Sequence, residues 1–270
     1  CDLLSDTLDE SSALALFEQL RDFKGQLSRH RIGQRGEDTL AKLMPEMIYY
    51  MLRQCPTDIT LLLPRLISVI GAITGRTTYL DLLHENPDVL KQLIKLCARS
   101  AWITEQIRSF PLLLDELLTP LYLQQQQTSL PVVYDEYSDE LRQNLLRVEP
   151  EDTELLMEQW RQFKLCQQLR IAASDISGSL PIAKVSDKLT VLAEVLLQAV
   201  FKSAWQQLTD KFGVPSHLQQ DETGFLVVGY GKLGGYELGY GSDLDLVFIH
   251  NAPQDSETSG AKKVSAQHFY

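Results

Sequence analysis

The chain has 270 residues, 44% of them hydrophobic, enough for one large or two ordinary domains with buried cores, which excludes disorder as its main state. With 36 acidic against 25 basic residues the formal net charge is −11, a field that repels phosphate polymers and argues against broad binding to nucleic acid or anionic membranes; positive charge at a phosphate site then falls to a metal. No apolar run reaches the ~18 residues that span a bilayer, and Cys1, Cys55, Cys97 and Cys166 have neither C-x-x-C nor metal-ligand spacing, so they read as free thiols in a reducing cytosol.

The amino end has neither the basic start nor the apolar core of a signal peptide and looks like an arbitrary cut. Through residues 11–118 apolar positions recur every three or four, as in "ITLLLPRLISVIGAI" and "VLKQLIKLCARSAWITEQI", the period of amphipathic helices packed on one another. Asn86-Pro87-Asp88 marks one helix start and Ser100 another. No fixed repeat marks a solenoid, so residues 1–118 are expected to form a helical bundle. The pattern weakens over residues 119–150, "LQQQQTSLPVVYDEYSDELRQ", which reads as a linker or loosely packed arm.

In residues 151–270 the helical period first returns in "LLMEQWRQFKLCQQLRIAASDI", closed by Gly178 and Pro181. A second helix follows, with Ser186 as its cap and Gly213 and Pro215 as its stop, ~40 Å long at ~1.5 Å per residue. After Glu222 the period changes to two in "GFLVVGYG" and "DLDLVFIH", the pattern of strands. Two strands alone are marginal, so this part is expected to be poorly ordered. "SAQHFY" enters a helix-compatible pattern and stops at Tyr270, the mark of a truncated segment. The fold class expected is mainly α with a small α+β part.

The candidate site lies between the strands. Side chains alternate on a strand, so Asp243 and Asp245 share a face while Leu244 and Leu246 point to a core. Two carboxylates in one small volume repel unless a divalent cation sits between them, and hard oxygen ligands at this spacing suit Mg²⁺, which also takes phosphate oxygens. Alone, a D-x-D is weak evidence and is more often a solvated surface pair. The glycines of "GYGKLGG" add to it: backbone N–H groups at Gly234 and Gly235 can approach phosphate with no β-carbon in the way. Gly229, Gly231 and Gly234 satisfy G-x-G-x-x-G, but a dinucleotide site needs a long helix next, and Gly239 and Gly241 interrupt; no P-loop is present. The histidines (His30, His84, His217, His250, His268) show no zinc spacing, and Trp102, Trp160 and Trp205 lie on apolar helix faces as core packing. Arg170 and Asp175 read either as a surface pair or as a brace.

The order strand, glycine loop, short helix, "GSDLD" resembles the DNA polymerase β-like nucleotidyltransferases. More closely, "GYGKLGGYELGYGSDLDLVF" with the upstream "FKLCQQLRIAASDISGSLPIAKVSDKLTVLAE" and "SAWITEQIRSFPLLLDELL" resembles the bacterial glutamine synthetase adenylyltransferases, over most of the chain. "LRIAASDI", "KVSDKLT" and "YGSDLDLVF" are similar to the carboxyl-terminal, adenylylating unit of that family, with the deadenylylating unit as the alternative. The resemblance implies a helical bundle followed by a truncated nucleotidyltransferase domain. It implies that Asp243 and Asp245 bind Mg²⁺ and are catalytic, and that Gly234, Gly235, Ser242 and Lys232 contact nucleotide; for Lys232 a surface lysine set by a turn reads equally well. It implies ATP as substrate, glutamine synthetase and the PII signalling protein as partners, glutamine as effector and a cytoplasmic setting. The superfamily's third carboxylate comes from a later strand, whereas Asp255 and Glu257 sit in a polar loop, so this segment alone is expected to be inactive. A non-catalytic helical interaction module is one competing reading. A nucleic-acid nucleotidyltransferase is another, disfavoured by the acidic balance.

Overall fold

A computed structural model describes residues 10–27, 32–55, 59–119 and 129–270, mainly α-helical with a two-stranded antiparallel sheet. Cys1, His30 and the glutamine tract lie outside the described residues. The chain divides into two compact units, Cys1–Gln124 with Ala172–Ser179 and Gln125–Ile171 with Leu180–Tyr270.

The first unit contains α1 (Glu10–Leu27), α2 (Gln34–Gln54), α3 (Ile59–Ile73), α4 (Thr77–Glu85), α5 (Pro87–Arg99), α6 (Ala101–Ser109) and a 3₁₀ segment, Pro111–Leu117. The apolar period closes on itself here: Leu43, Met47 and Met51 of α2 are fully buried, as are Leu62, Leu66 and Ile70 of α3 and Leu90 and Leu93 of α5. Helix ends are tied by side chains. Ser100 accepts from the Ile103 N–H at 3.1 Å, as expected of an N-cap. Asn86 behaves differently: its amide donates to Leu82 O at 2.8 Å, so it closes α4 and makes no side-chain bond to α5, which Pro87 starts by its fixed φ. Arg65 donates to Cys97 O and Ala98 O at the end of α5, where carbonyls lack helical partners.

The second unit holds α7 (Leu130–Leu145), most of α8 (Thr153–Ser177), α9 (Ile182–Phe212), β1 (Phe225–Tyr230), α10 (Gly231–Gly234), β2 (Asp245–His250) and α11 (Ala266–Phe269). Where a linker or loosely packed arm is expected over 119–150, the described residues correct the reading at Leu130–Leu145: α7 buries Val133, Tyr137 and Leu141 against Phe163, Val191 and Val195. These three recur every four residues, a stripe narrow enough to be masked by the acids and glutamines on the solvent side. Tyr137 meets Phe163 edge-on, centroids 6.4 Å apart. The Glu140 carboxylate of α7 receives both Gln167 (2.8 Å) and Arg170 (2.8 and 3.0 Å) from α8, so Arg170 braces α8 on α7.

Helix α9 begins a turn earlier than Ser186 would place it. Pro181 occupies the N-cap with an extended backbone, and Val185, Leu189 and Leu192 already face the core, so the apolar stripe extends upstream of Ser186. Its stop is as expected: Gly213 has φ +77°, and a β-carbon there would fall on the Gly260 backbone.

The two strands pair from Phe225 opposite His250 to Tyr230 opposite Asp245. One face is backed by an aromatic stack: Phe225 lies parallel to Phe201 of α9 (5.4 Å), to Phe248 (5.8 Å) and to Tyr270 (5.9 Å), and Tyr270 stacks on His250 (5.0 Å) while its hydroxyl donates to Thr223 O at 2.7 Å. That backing is what the expectation of a poorly ordered segment after Glu222 leaves out. "SAQHFY" takes part in it, with Phe269 buried at the end of α11.

Candidate functional site

Residues 231–244 connect the strands and carry the glycine motif apart from Gly229, which lies in β1. Two leucines seat the connection: Leu233 and Leu238 are buried with Ile171, Leu180, Val185 and Leu189. Between these anchors the backbone is held tightly. Gly231 has φ +55°, and a β-carbon on it would fall on the Asp245 carboxylate, so only glycine permits both the turn and the approach. A β-carbon on Gly234 would lie 2.6 Å from Gly229 O, packing the one-turn helix α10 against β1. Gly235 is less constrained, at φ −88°, and its N–H donates to Gly231 O at 3.0 Å. The expectation that the Gly235 N–H faces a phosphate is therefore not how this conformation uses that donor.

Ser242 closes the second half of the connection as a small turn, its hydroxyl accepting from the Gly239 N–H at 2.9 Å and its own N–H donating to Gly239 O at 3.1 Å. Lys232 is exposed and forms no ion pair among the described residues. Tyr236 has φ +57°, uncommon for a residue with a β-carbon, and its hydroxyl stands 3.4 Å from Glu194, whose negative charge raises the phenol's pKa.

Strand β2 begins at Asp245, so Asp243 sits two residues outside it and strand alternation does not place both carboxylates. Both are exposed. Asp245 shares its sheet face with Leu226, Tyr230, Val247 and Ile249, all at least 45% exposed, whereas Leu246 turns to the Leu233–Leu238 cluster. Leu244, at 39% exposure, is only partly covered.

Among the described residues no three His, Cys, Asp or Glu side chains gather into a metal site. The donors that do stand here fit a hard cation: two carboxylates with water-accessible oxygens, one lodged in the space that Gly231 leaves by having no side chain. A cation held by two acids keeps further positions for water and phosphate oxygens.

Sequence comparison decides the family. The model of glutamate-ammonia ligase adenylyltransferase matches residues 90–270, a range that contains both strands, the connection between them and helices α6 to α9. The chain belongs to the glutamate-ammonia ligase adenylyltransferase family. It is 60% identical over 266 residues to the bifunctional glutamine synthetase adenylyltransferase/adenylyl-removing enzyme of Alteromonas mediterranea, covering 98% of this chain and 27% of that protein. The proteins of the same name from Shewanella loihica and Pasteurella multocida are 49% and 46% identical, over 94% and 99% of this chain and 26% and 27% of their own lengths. This member of the adenylyltransferase family thus spans about a quarter of the length of the curated relatives it matches. No helix among its described residues is long and apolar enough to cross a membrane.

What the sequence misses at the site is long-range. Gln168 of α8, 9% exposed, donates to Tyr240 O at 3.2 Å, inside the turn that leads to the aspartates. The signal available in the sequence is a pair of amides, Gln167 and Gln168, in an otherwise amphipathic helix; nothing in their spacing names the partner of either.

Proposed function

We propose that this segment carries the nucleotide- and metal-holding part of a cytoplasmic transferase that moves AMP from ATP to a tyrosine hydroxyl of glutamine synthetase. The observation that carries the reading is the fit of the Asp245 carboxylate into the place where a Gly231 side chain would stand, which brings the second aspartate of the D-x-D against the glycine loop. Asp243 and Asp245 would hold Mg²⁺ through carboxylate oxygens, and the bound ion would supply charge neutralisation and Lewis acidity at the α-phosphate.

The chain's own residues supply positioning. Gly234 and Gly235 keep side chains away from the phosphates, and the exposed Lys232 ammonium adds a point charge beside them. The Ser242 hydroxyl holds the turn that presents Asp243 by accepting from the Gly239 N–H, and its own O–H is left to donate to a nucleotide phosphate oxygen. Attack by the tyrosine hydroxyl on the α-phosphorus forms the new P–O bond as pyrophosphate leaves and the hydroxyl proton passes to solvent or base. Control by glutamine and the PII signalling protein belongs to the same proposal, as does the view that a third carboxylate outside this segment completes the metal site and that the segment alone is inactive.

The opposite reaction, phosphorolysis of adenylyl-tyrosine to ADP, uses the same groups, so direction is the property to test. In a chimera that carries this segment in place of its counterpart in the Alteromonas enzyme, one mutation read by two assays separates the units. If this segment is the adenylylating one, Asp245→Asn abolishes α-label transfer from ATP to glutamine synthetase and leaves phosphate-dependent release of ADP from the adenylylated synthetase intact. The reverse pattern assigns the segment to removal.

A further inference from the structure

We infer that Gln168 is a positioning residue for the D-x-D turn, acting through the carbonyl of Tyr240. The inference rests on the functional reading above, because it assigns Gln168 a part in the same site. Tyr240 precedes Ser242 by two residues and Asp243 by three, and its carbonyl receives the Gln168 amide at 3.2 Å across 72 positions of sequence. Gln168 is one of few buried polar side chains in the second unit, at 9% exposure, beside Leu189, Leu192 and Ala193 of α9 and Leu238 of the connection, in a wall that also includes Lys164 and Ser242. A leucine or methionine would fill that place without the cost of burying an amide. The amide adds direction, since a donor aimed at one carbonyl fixes the peptide at Tyr240 as packing cannot.

Leu238 and the Tyr240 ring pack the connection against the cluster that includes Ile171 of α8, and the Gly239–Ser242 turn is closed by the two hydrogen bonds described above. Gln168 adds a directed bond from α8 to that turn, and α8 in turn is fixed on α7 through the neighbouring Gln167 and Arg170 on Glu140. The two adjacent glutamines thus face different partners, one structural and one at the site.

The test compares the parent chain with Gln168→Met and with Gln168→Leu, each of which keeps about the same volume and removes the donor. Amide hydrogen exchange at residues 240–245 is expected to speed up about fivefold in both, the scale of one lost hydrogen bond, with exchange in the middle of α8 and the unfolding temperature little changed. In the chimera with the Alteromonas enzyme, the Mg²⁺ concentration for half-maximal AMP transfer rises by a similar factor. Unchanged exchange at 240–245 overturns the inference. So does an equal rise throughout α8 with a fall in unfolding temperature, which marks Gln168 as packing alone, and so does altered exchange with an unaltered Mg²⁺ requirement. A parent chimera that transfers no AMP overturns the functional reading and the site role assigned to Gln168 with it, while the exchange data still decide whether Gln168 holds the turn.

Discussion

Gly231 and Asp245 occupy one place: the glycine has φ +55°, and the carboxylate lies where its β-carbon would be. Fourteen residues apart, they are brought together because Tyr230, just before the glycine, pairs with Asp245 at the end of the sheet. Gly231→Ala therefore meets two obstacles, a left-handed backbone costing about 1–2 kcal/mol for a residue with a β-carbon, and a displaced carboxylate. Thermal unfolding should report a loss of that size, and calorimetric titration should show weaker Mn²⁺ or Mg²⁺ binding than the parent. A variant of parental stability and metal affinity would mean that the carboxylate has another resting place.

The two glycines that end α10 separate structure from ligand. A β-carbon at Gly234 lies 2.6 Å from Gly229 O, a backbone atom that cannot swing aside, so Gly234→Ala should destabilise the chain by about 1–3 kcal/mol, the range of overpacking. At Gly235 the nearest atoms would be 3.4 Å away or more and φ is −88°, so Gly235→Val should cost about 1 kcal/mol or less while a branched side chain obstructs nucleotide. Titration of the chimera with ATP and Mg²⁺ checks the second half. Undiminished affinity in Gly235→Val shows that the loop is a turn and nothing more.

Much of this site was readable from residue types, and its limits are instructive. The glycines and aspartates announce a turn with a carboxylate pair, and the period-two runs announce the strands, because those signals are local. The strand start at Asp245 rather than Asp243 is set by where β1 ends, which spacing does not reveal. Helix α7 escaped because its buried stripe is Val133, Tyr137 and Leu141 alone, and its other faces are acids and amides that read as linker. The start of α9 was placed at Ser186 from a capping residue, while Pro181 and the buried Val185 show that backbone restriction and packing decide it. Gln168 and the Phe201–Phe225–Tyr270 stack join residues far apart in sequence, and such pairings leave no periodic trace.

Cys97 offers a test of the helical core of the first unit. Burial pushes its thiol up from 9.0 to about 11, against the opposing effects of Thr104 and Arg65. A folded-state pKa above the unfolded one means the folded chain keeps its proton longer, so this contribution to stability is fully present below about pH 9 and is lost as pH rises through about 11. At pH 8 a thiol reagent should modify Cys55 and Cys166, each only half-buried, well before Cys97. Urea midpoints taken from pH 8.5 to 10.5 should fall less steeply in Cys97→Ala than in the parent. Rapid labelling of Cys97 under native conditions would show that the packing around α5 opens readily.

The central claim is that Asp243 and Asp245 hold the metal for AMP transfer, and the most direct measurement is α-label incorporation into glutamine synthetase by the chimera, parent against Asp243→Asn and Asp245→Asn, with pyrophosphate release as the second readout. Residues behind metal ligands are commonly worth ten to a hundredfold, so loss of a ligand should lower the rate by about a hundredfold or more. Because both carboxylates are exposed, the folded state should survive either change, with unfolding temperatures close to the parent's. Transfer by both variants at about a tenth of the parent rate or faster, with the fold intact, would contradict the assignment of these aspartates to the metal.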